Sequence, residues 1–415
     1  MRDGVFRASE NLTLTFDCSR CTRYFSPGTV DAMPVSATLA ANDAVAYRRA
    51  SGLPVVPLGF GEAGLPVHPM LSGALAAAAD MAGYGPVAGI PELRDAAAGY
   101  WSRRGLPTEP AQVVAGPGSK PLLWAILGTR AGGVALPNPS WVSYAAQAGL
   151  QGLRAVRIRS VGGVPDPLAL DAAAREFDLS TVVVTLPDNP TGRLASPSVI
   201  RELCAVAERH DLLIVSDEIY RDLTDAEFLS PAEVVPHRVV ITSGLSKSLA
   251  LGGWRTGVAR FVDDELRDKV IDVASEVWSA PTRPVQYAAA LAYTEPPELV
   301  ERIAQSRKLH LSVGAVVAEI FKTTPPDGAF YCYPHVAGFD TDHEVVEYLL
   351  ARSGIVVLPG SEFGELPTAC HIRVATSLLY GDTDERRLRA LYSDRPTTLP
   401  WIAAQLDIIS AAMDY

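Results

Sequence analysis

The sequence predicts an α/β protein whose mostly parallel sheet carries helices on both faces, followed by a smaller α+β domain. From about residue 72 to 285, short runs rich in β-branched residues alternate with stretches rich in alanine and leucine, and turn residues separate them. This alternation is typical of parallel sheets, because each connection between parallel strands crosses a face of the sheet as a helix. After residue 285 the alternation stops, which predicts a second domain.

The predicted elements of the large domain point to where its site lies. Candidate strands lie at 113–115, 133–136, 153–158, 181–186, 212–216 and 239–242. Candidate helices lie at 119–131, 140–150, 196–210 and 263–277. In open α/β sheets, the loops after the carboxyl ends of the strands form the binding site. The residues that directly follow these strands are therefore the candidates for chemistry.

The whole chain divides into four predicted segments. They are an N-terminal arm (1–35), a segment that packs on the small domain (36–70), a large domain (71–290) and a small C-terminal domain (291–415). We expect a helix at 36–52 and, because 54–70 is rich in Pro and Gly, a loop there. Later elements are a long helix near 284–320, an antiparallel strand at 328–333, a helix near 341–353 and strands at 355–357 and 370–375.

The composition excludes several classes of protein. The chain has 415 residues, of which 48% are hydrophobic, and a formal net charge of −11. The apolar content excludes a wholly disordered chain, and the negative charge argues against nucleic acid or an anionic membrane as partner, because both need a basic field. The sequence has no uninterrupted apolar run of about 18 residues. Charges also interrupt the N-terminus where a signal peptide is apolar, so we expect a cytoplasmic protein.

The cysteines give little support for a metal site. There are 5, an odd and sparse number that argues against a disulfide framework. Cys18 and Cys21 form a C-x-x-C pair, which is either half of a zinc site or a pair of unrelated thiols. Since no second pair accompanies them, we predict no metal.

Lys247 follows the candidate strand at 239–242. It ends the segment SGLSK (243–247), which is followed by GGWR (252–255). When such a segment occurs alone, its lysine is most often an ordinary surface residue. Lysine is, however, the side chain that forms a Schiff base with an aldehyde, provided that its pKa is lowered. The serines and Arg255 are suited to hold a phosphate, arginine by bidentate pairing.

Asp217 follows the candidate strand at 212–216, in the segment DEIY (217–220). An acid at the end of a buried strand is costly unless it is paired. One interpretation is that it keeps the nitrogen of a pyridine ring protonated, so that the ring accepts electrons. The other is that it caps the next helix. The sequence leaves both open.

Two further motifs lie on loops. Asn189 stands in NPTG (189–192), which either presents an amide to a ring oxygen or is only a turn. The segment GPGSK (116–120) opens a helix, whose N–H groups are suited to a phosphate.

Two side chains of other types complete the set of candidates. Trp141 in NPSW (138–141) either stacks on a flat ring or packs in the core. Arg373 is flanked by apolar residues in a candidate strand, and its fork geometry suits a substrate carboxylate.

Taken in order, these motifs resemble the fold-type I pyridoxal phosphate-dependent enzymes, specifically the class I/II aminotransferase group that includes aspartate aminotransferase. The resemblance extends over about residues 55–392. Its matching segments are YGP with GIPELR (84–94), NPSW (138–141), NPTG (189–192), DEIY (217–220), SK with GGWR (246–255), GAFY (328–331), PGSEFG (359–364) and IRVA (372–375).

The resemblance implies pyridoxal 5'-phosphate as cofactor and a role for each matching residue. Lys247 would carry the cofactor as a Schiff base and move protons at the substrate's α-carbon. Asp217 would pair with the pyridine nitrogen, and Tyr220 and Asn189 would contact the phenolic oxygen. Trp141 would stack on the ring. The phosphate would be held by Gly118, Ser119, the Lys120 backbone, Ser243 or Ser246, and Arg255.

The resemblance also implies how substrate and subunits meet. Arg373 would bind the α-carboxylate, and Gly61 would pass close to the substrate, which Asn189 and Trp141 would also line. Tyr84 would reach the phosphate of a neighbouring subunit, which implies a homodimer with shared active sites.

The function implied is an aminotransferase of amino-acid metabolism that moves an amino group between an L-amino acid and a 2-oxo acid. The alternative is elimination, replacement, cyclisation or decarboxylation of a specialised amino acid in a biosynthetic pathway. The chain departs from the group at 61–66, where GEAGLP replaces the more frequent G-E-P-D, and in its long arm. Because 273–279 contains no arginine, we expect a neutral or cationic substrate side chain rather than an acidic one.

Overall fold

The computed structural model describes residues 37–414 of the chain. The predicted N-terminal arm, with Cys18 and Cys21, lies outside the described residues. The strands are β1 (Val56–Pro57), β2 (Val113–Gly116), β3 (Gly133–Asn138), β4 (Ala155–Val161), β5 (Val164–Pro165), β6 (Leu179–Thr185), β7 (Leu213–Asp217), β8 (Val239–Gly244), β9 (Gly257–Arg260), β10 (Tyr331–Cys332), β11 (Ile355–Val356), β12 (Leu358–Pro359) and β13 (Ile372–Ala375).

The α-helices lie before, between and after these strands. They are Ala37–Ala50, Pro69–Ala77, Pro91–Ser102, Ser119–Leu127, Val142–Leu150, Pro167–Glu176, Pro197–Arg209, Pro231–Val234, Asp264–Val277, Arg283–Tyr293, Pro297–Ile320, Asp342–Ser353, Asp384–Leu391 and Pro400–Met413. Many begin with proline at the first helical position, where the missing N–H costs no hydrogen bond. Side-chain caps fix several of these starts; Ser196, for example, accepts from the N–H of Val199. Within the described residues, no helix is both long and apolar enough to cross a membrane.

The larger sheet has the strand order β2–β9–β8–β7–β6–β3–β4–β5. Neighbours from β8 to β4 run parallel, whereas β9 is antiparallel to both β8 and β2, and β5 is antiparallel to β4. Thr185 of β6 pairs with Asp217 of β7, which in turn pairs with Thr242 of β8. The carboxyl ends of these strands therefore meet at one edge, and the segments that follow them converge there.

Both faces of this sheet are buried, as a parallel sheet requires. Along β6, Val182 and Val184 belong to one hydrophobic cluster and Val183 belongs to another. Along β7, Ile214 and Val215 divide in the same way. Successive side chains of a strand point to opposite faces, so the two clusters lie on the two sides of the sheet. The predicted α/β class with a mostly parallel sheet is confirmed.

A separate hydrophobic cluster surrounds the C-terminal elements. It joins the long helix Pro297–Ile320, the small antiparallel sheet β10–β13–β12 and the helix Pro400–Met413. β1 pairs in parallel with β11, so residues near 56 belong to this small module. The exact domain boundaries stay a prediction.

Two predicted elements are wrong in detail. The long helix near 284–320 is two helices, Arg283–Tyr293 and Pro297–Ile320. Pro296 and Pro297 lack the N–H that a continuous helix needs, and Glu295 before them has φ +56°, outside the helical region. The segment 54–70 is not entirely a loop, because β1 and the start of the helix Pro69–Ala77 fall within it.

Candidate active site

Lys247 lies in the turn that follows β8. Its Nζ atom donates a hydrogen bond to the carbonyl oxygen of Gly61 at 2.6 Å. Burial, and after it the positive charge of Arg373, lower the pKa of this amine to about 8. A lysine must be neutral to attack an aldehyde, so this environment gives a larger neutral fraction near neutral pH than an ordinary lysine has.

Asp217 is the last residue of β7 and is buried at the carboxyl edge of the sheet. Tyr144 donates a hydrogen bond to its Oδ2 at 2.8 Å, and Thr242 donates to its Oδ1 at 3.3 Å. Burial raises the pKa of Asp217 to about 6, although these hydrogen bonds and Lys247 lower it. No α-helix begins directly after Asp217. The structure therefore favours a polar partner for this carboxyl over a helix-capping role.

Tyr220 lies just beyond Asp217 and is buried. Its ring centroid is 5.8 Å from the Nζ of Lys247, which places the two predicted catalytic side chains side by side. The hydroxyl of Tyr220 is 2.7 Å from that of Tyr331. Tyr331 was not among the sequence candidates, although it ends the matched segment GAFY (328–331). Its position at the end of a matched motif was the sequence signal that could have identified Tyr331 as a site residue.

Arg373 enters the site from β13 of the small module and is buried. It donates to the Asn189 amide oxygen at 3.3 Å and to the Gly59 carbonyl oxygen at 2.6 Å. Its Nε has no acceptor among the described residues, and none of their carboxylates forms an ion pair with it. A buried guanidinium with only neutral partners is a site for an anion.

The start of the helix Ser119–Leu127 forms a compact cradle. Gly118 precedes the helix with φ +96°, and its backbone packs so closely on Arg255 that an added Cβ would lie 2.5 Å from the Nη2 atom. Gly257 is equally confined, since a Cβ there would lie 2.5 Å from the amide nitrogen of Ser119. No described side chain caps this helix start. Free N–H groups beside an arginine are suited to a phosphate.

Trp141 and Lys120 lie together above this cradle. The Nζ of Lys120 is 5.0 Å from the centroid of a Trp141 ring, and the Trp141 ring meets Tyr144 edge to face. Tyr144 in turn contacts Asp217, which places Trp141 one side chain away from the predicted pyridine partner. Burial and the charge of Arg255 lower the pKa of Lys120.

The serines and Tyr84 are less clearly placed. Ser243 is buried in β8, whereas Ser246 is half-buried next to Lys247, so the choice of phosphate-binding serine stays a prediction. The side chain of Tyr84 is 95% exposed. Its predicted role in a neighbouring subunit likewise stays a prediction.

The residues present fit pyridoxal phosphate. Small residues and free N–H groups stand where the phosphate is expected, a buried carboxyl where the pyridine nitrogen is expected, and an amine of lowered pKa between them. The orphaned Nε of Arg373 supplies an anion site on the substrate side. Across the part of the chain that the structure describes, no group of His, Cys, Asp and Glu residues is suited to a metal ion.

Comparisons with known proteins agree with this arrangement. A family model described as aminotransferase class I and II matches residues 59–383. The aspartate aminotransferase of Geobacillus stearothermophilus is 33% identical over 391 residues, covering 88% of this chain and 98% of that protein. The aspartate/prephenate aminotransferase of Thermus thermophilus is 31% identical over 378 residues, covering 87% and 96%.

Solved structures give the same result. The structure of Thermus thermophilus aspartate aminotransferase with maleate superimposes with a TM-score of 0.80 at 27% identity, over 96% of this chain and all of that one.

Proposed function

The chain belongs to the class I and II aminotransferases, which use pyridoxal 5'-phosphate to move an amino group between an amino acid and a 2-oxo acid, and we propose that Lys247 carries the cofactor as a Schiff base. The relatives are named as aminotransferases, so the alternative of elimination, cyclisation or decarboxylation is not favoured.

One observation carries the assignment of Lys247. It is a half-buried lysine whose amine donates to the Gly61 carbonyl oxygen, whose pKa burial lowers to about 8, and on which Arg373 and Asp217 both act electrostatically. The proposed carboxylate clamp and the proposed pyridine partner thus both act on the amine. No other part of the matched motifs combines these features.

Each residue then has a defined task. Bound pyridoxal phosphate supplies a ring that withdraws electrons from the substrate's α-carbon. Asp217 keeps the ring nitrogen protonated, and Tyr220 and Asn189 orient the phenolic oxygen. Arg373 binds the substrate's α-carboxylate, which holds the α-hydrogen within reach of Lys247.

Lys247 also acts as the acid–base group. It takes the proton from the α-carbon and returns it to the C4′ carbon of the cofactor. A pKa lowered to about 8 suits both tasks, because the neutral fraction near neutral pH is larger than that of an ordinary lysine while the amine stays basic enough to take a proton.

The exposed Tyr84 supports a homodimer with shared sites. A tyrosine that is 95% exposed exposes a large apolar ring to water, which a partner subunit would bury. We propose that it reaches the partner's phosphate. Mixing a Tyr84→Ala variant with a Lys247→Ala variant tests this, because only one site of a mixed dimer would then keep both residues and regain activity.

The amino donor is the least constrained part of the proposal. The named relatives act on aspartate, and an acidic donor needs a second cation besides Arg373. The segment 273–279 supplies none, which led us to expect a neutral or cationic donor. The structure adds Lys120 beside Trp141, and we propose that it receives the distal carboxylate of aspartate.

Borohydride reduction tests the attachment of the cofactor. The purified enzyme should be yellow, and reduction followed by peptide mass spectrometry should place the cofactor on Lys247. Lys120→Ala is the matched control, because that lysine also lies beside a predicted site residue, Trp141, and also has a lowered pKa, yet should leave the adduct unchanged. An adduct on any other lysine would refute the assignment.

Titration with single amino acids tests the reaction. A donor should convert the cofactor to its amine form with release of one equivalent of 2-oxo acid, and added 2-oxoglutarate should reverse the change. Release of ammonia with the cofactor left in its aldehyde form would support elimination instead.

A further inference from the structure

Tyr331 is a buried residue of the site to which the proposed function assigns no task. Its side chain is 1% exposed, and its hydroxyl lies 2.7 Å from that of Tyr220. The guanidinium carbon of Arg373 is 5.1 Å from the centroid of its ring. A Cβ atom on Gly61 would overlap the Tyr331 hydroxyl, so the backbone next to Lys247 also packs against it. Tyr331 therefore contacts a proposed cofactor residue and a proposed substrate residue.

The charges around the two phenols determine which one donates. Geometry alone allows either direction. Burial raises the pKa of both phenols and the charge of Arg373 lowers both, but Tyr331 and Asp217 raise the pKa of Tyr220 further, to well above its ordinary value, whereas the hydrogen bond with Tyr220 lowers that of Tyr331. Since the more acidic phenol is the better donor, Tyr331 donates to Tyr220.

We propose that Tyr331 is a positioning residue, which donates its hydroxyl hydrogen to Tyr220 and so directs the hydrogen of Tyr220 towards the phenolic oxygen of the cofactor. The inference rests on the proposed function, because it needs the cofactor on Lys247. A hydroxyl that accepts one hydrogen bond donates a stronger one, since bonds in a chain polarise each other.

A stronger bond to the phenolic oxygen has a measurable consequence. With the cofactor on Lys247, a phenolic oxygen that accepts a stronger hydrogen bond from Tyr220 would be a weaker base. Tyr331 therefore lowers the pKa at which the cofactor's colour changes. The other charged groups that act on the nitrogen of Lys247, Arg373, Glu62, Asp217 and Arg255, all remain when only the Tyr331 hydroxyl is removed.

The test is a pH titration of the visible absorbance of the holoenzyme. Tyr331→Phe keeps the ring against Arg373 and removes only the hydroxyl, and its absorbance pKa should rise by a few tenths of a unit to about one unit. Tyr220→Phe should give a larger rise. Because Tyr331 acts through Tyr220, adding Tyr331→Phe to Tyr220→Phe should cause no further change.

Tyr380→Phe is the matched control. Tyr380 is also a buried phenol, but its hydroxyl contacts His310 at 2.5 Å in the small module. It should leave the absorbance pKa unchanged. Tyr331→His, which retains a donor, should restore part of the shift and serves as the second variant if Tyr331→Phe folds poorly.

Two results would overturn the inference. One is a Tyr331→Phe titration equal to that of the wild type while reduction still places the cofactor on Lys247. The other is a shift that persists in the Tyr220→Phe background, which would mean that Tyr331 does not act through Tyr220. Reduction onto a different lysine would instead refute the proposed function, and this inference with it.

Discussion

Two parts of the site differ in how their buried charges are satisfied. We call the carboxyl edge of the sheet, with Asp217, the floor, and the contact between the sheet and the small module, with Arg373, the junction. On the floor, Asp217 accepts hydrogen bonds from Tyr144 and Thr242. At the junction, Arg373 donates to two neutral oxygens, and its Nε has no partner within the described chain. Breaking or omitting the partner of a buried charge costs about 3–5 kcal/mol. The floor is therefore complete without a ligand, and the junction is not.

Asp188 extends this contrast to a second group at the junction. It is fully buried, and its Oδ2 accepts from the Thr191 hydroxyl at 2.5 Å, but its Oδ1 has no donor in the described part of the chain. The loop that carries it contacts the small module, since the backbone N–H of Asp327 donates to the Gly192 carbonyl oxygen at 2.9 Å. Under the proposed function, the preorganised floor would hold the cofactor, and the substrate's α-carboxylate would supply the missing partner of Arg373 at the junction.

The largest expected effect comes from breaking the floor. Asp217→Ala should still bind pyridoxal phosphate but lower kcat on the order of 10³-fold, because the ring nitrogen is then unprotonated and accepts electrons poorly. Steady-state kinetics on a good donor measures this. Thr242→Val is the control, since it removes only one of the hydrogen bonds to Asp217 and should cost less than about tenfold. Near wild-type turnover of Asp217→Ala would show that this carboxyl is structural.

The next effect comes from the junction. Arg373→Lys should lower kcat/KM for amino acids by roughly 10²–10³-fold, because lysine cannot form the bidentate pair with the α-carboxylate. An amine substrate without a carboxylate should lose little. The control is Arg193→Lys, a junction arginine that pairs with Asp327 at 3.2 Å and should change kcat/KM only a few-fold. Equal losses for substrates with and without the carboxylate would contradict the clamp.

The sequence predicts the floor better than the junction. Asp217 ends β7 and Lys247 lies in the turn after β8, so a correct strand prediction and the rule for open sheets place them at the same edge. The fold class follows from the same alternation of strands and helices. These features are local in sequence, and their spacing carries the information.

The junction depends on contacts between distant residues. Tyr331 and Tyr220 are in contact although 111 positions separate them in the sequence, and Arg373 and Gly59 although 314 do. Motif spacing therefore reveals neither pair. The orphaned Oδ1 of Asp188 is likewise a property of packing, which a sequence does not show. The break at Pro296 was readable in principle, because consecutive prolines end a helix, but helical composition on both sides obscured it.

A smaller effect on substrate preference is expected at Lys120, which lies beside Trp141. Lys120→Gln should reduce kcat/KM for aspartate about tenfold more than kcat/KM for alanine as the amino donor, because it removes the cation proposed for the distal carboxylate. Competition between the two donors in one assay measures the ratio. Arg130→Gln is a control, since this arginine pairs with Asp211 at 3.0 Å outside the candidate site. If aspartate is a poor donor for the wild type as well, the expectation of a neutral or cationic donor stands.

The smallest expected effect concerns the stability of the junction without cofactor. Burial raises the pKa of Asp188 to about 7, so the native state holds a proton that the unfolded state releases above its ordinary pKa near 4. The stabilising contribution of this group is therefore complete below about pH 4 and is lost as the pH rises to about 7.

Asp188→Asn does not titrate. From pH 4 to 8, the free energy of unfolding of the wild type should fall relative to this variant by roughly 1–4 kcal/mol, measured by urea denaturation of the apoprotein. Asp171→Asn is the control, because the hydrogen bond from His210 and the adjacent arginines lower the pKa of Asp171, so its stabilising contribution is lost only below about pH 4 and its difference from the wild type should stay nearly constant from pH 4 to 8. A difference between wild type and Asp188→Asn that does not change with pH would mean that Asp188 titrates normally, and that the junction is as well satisfied as the floor.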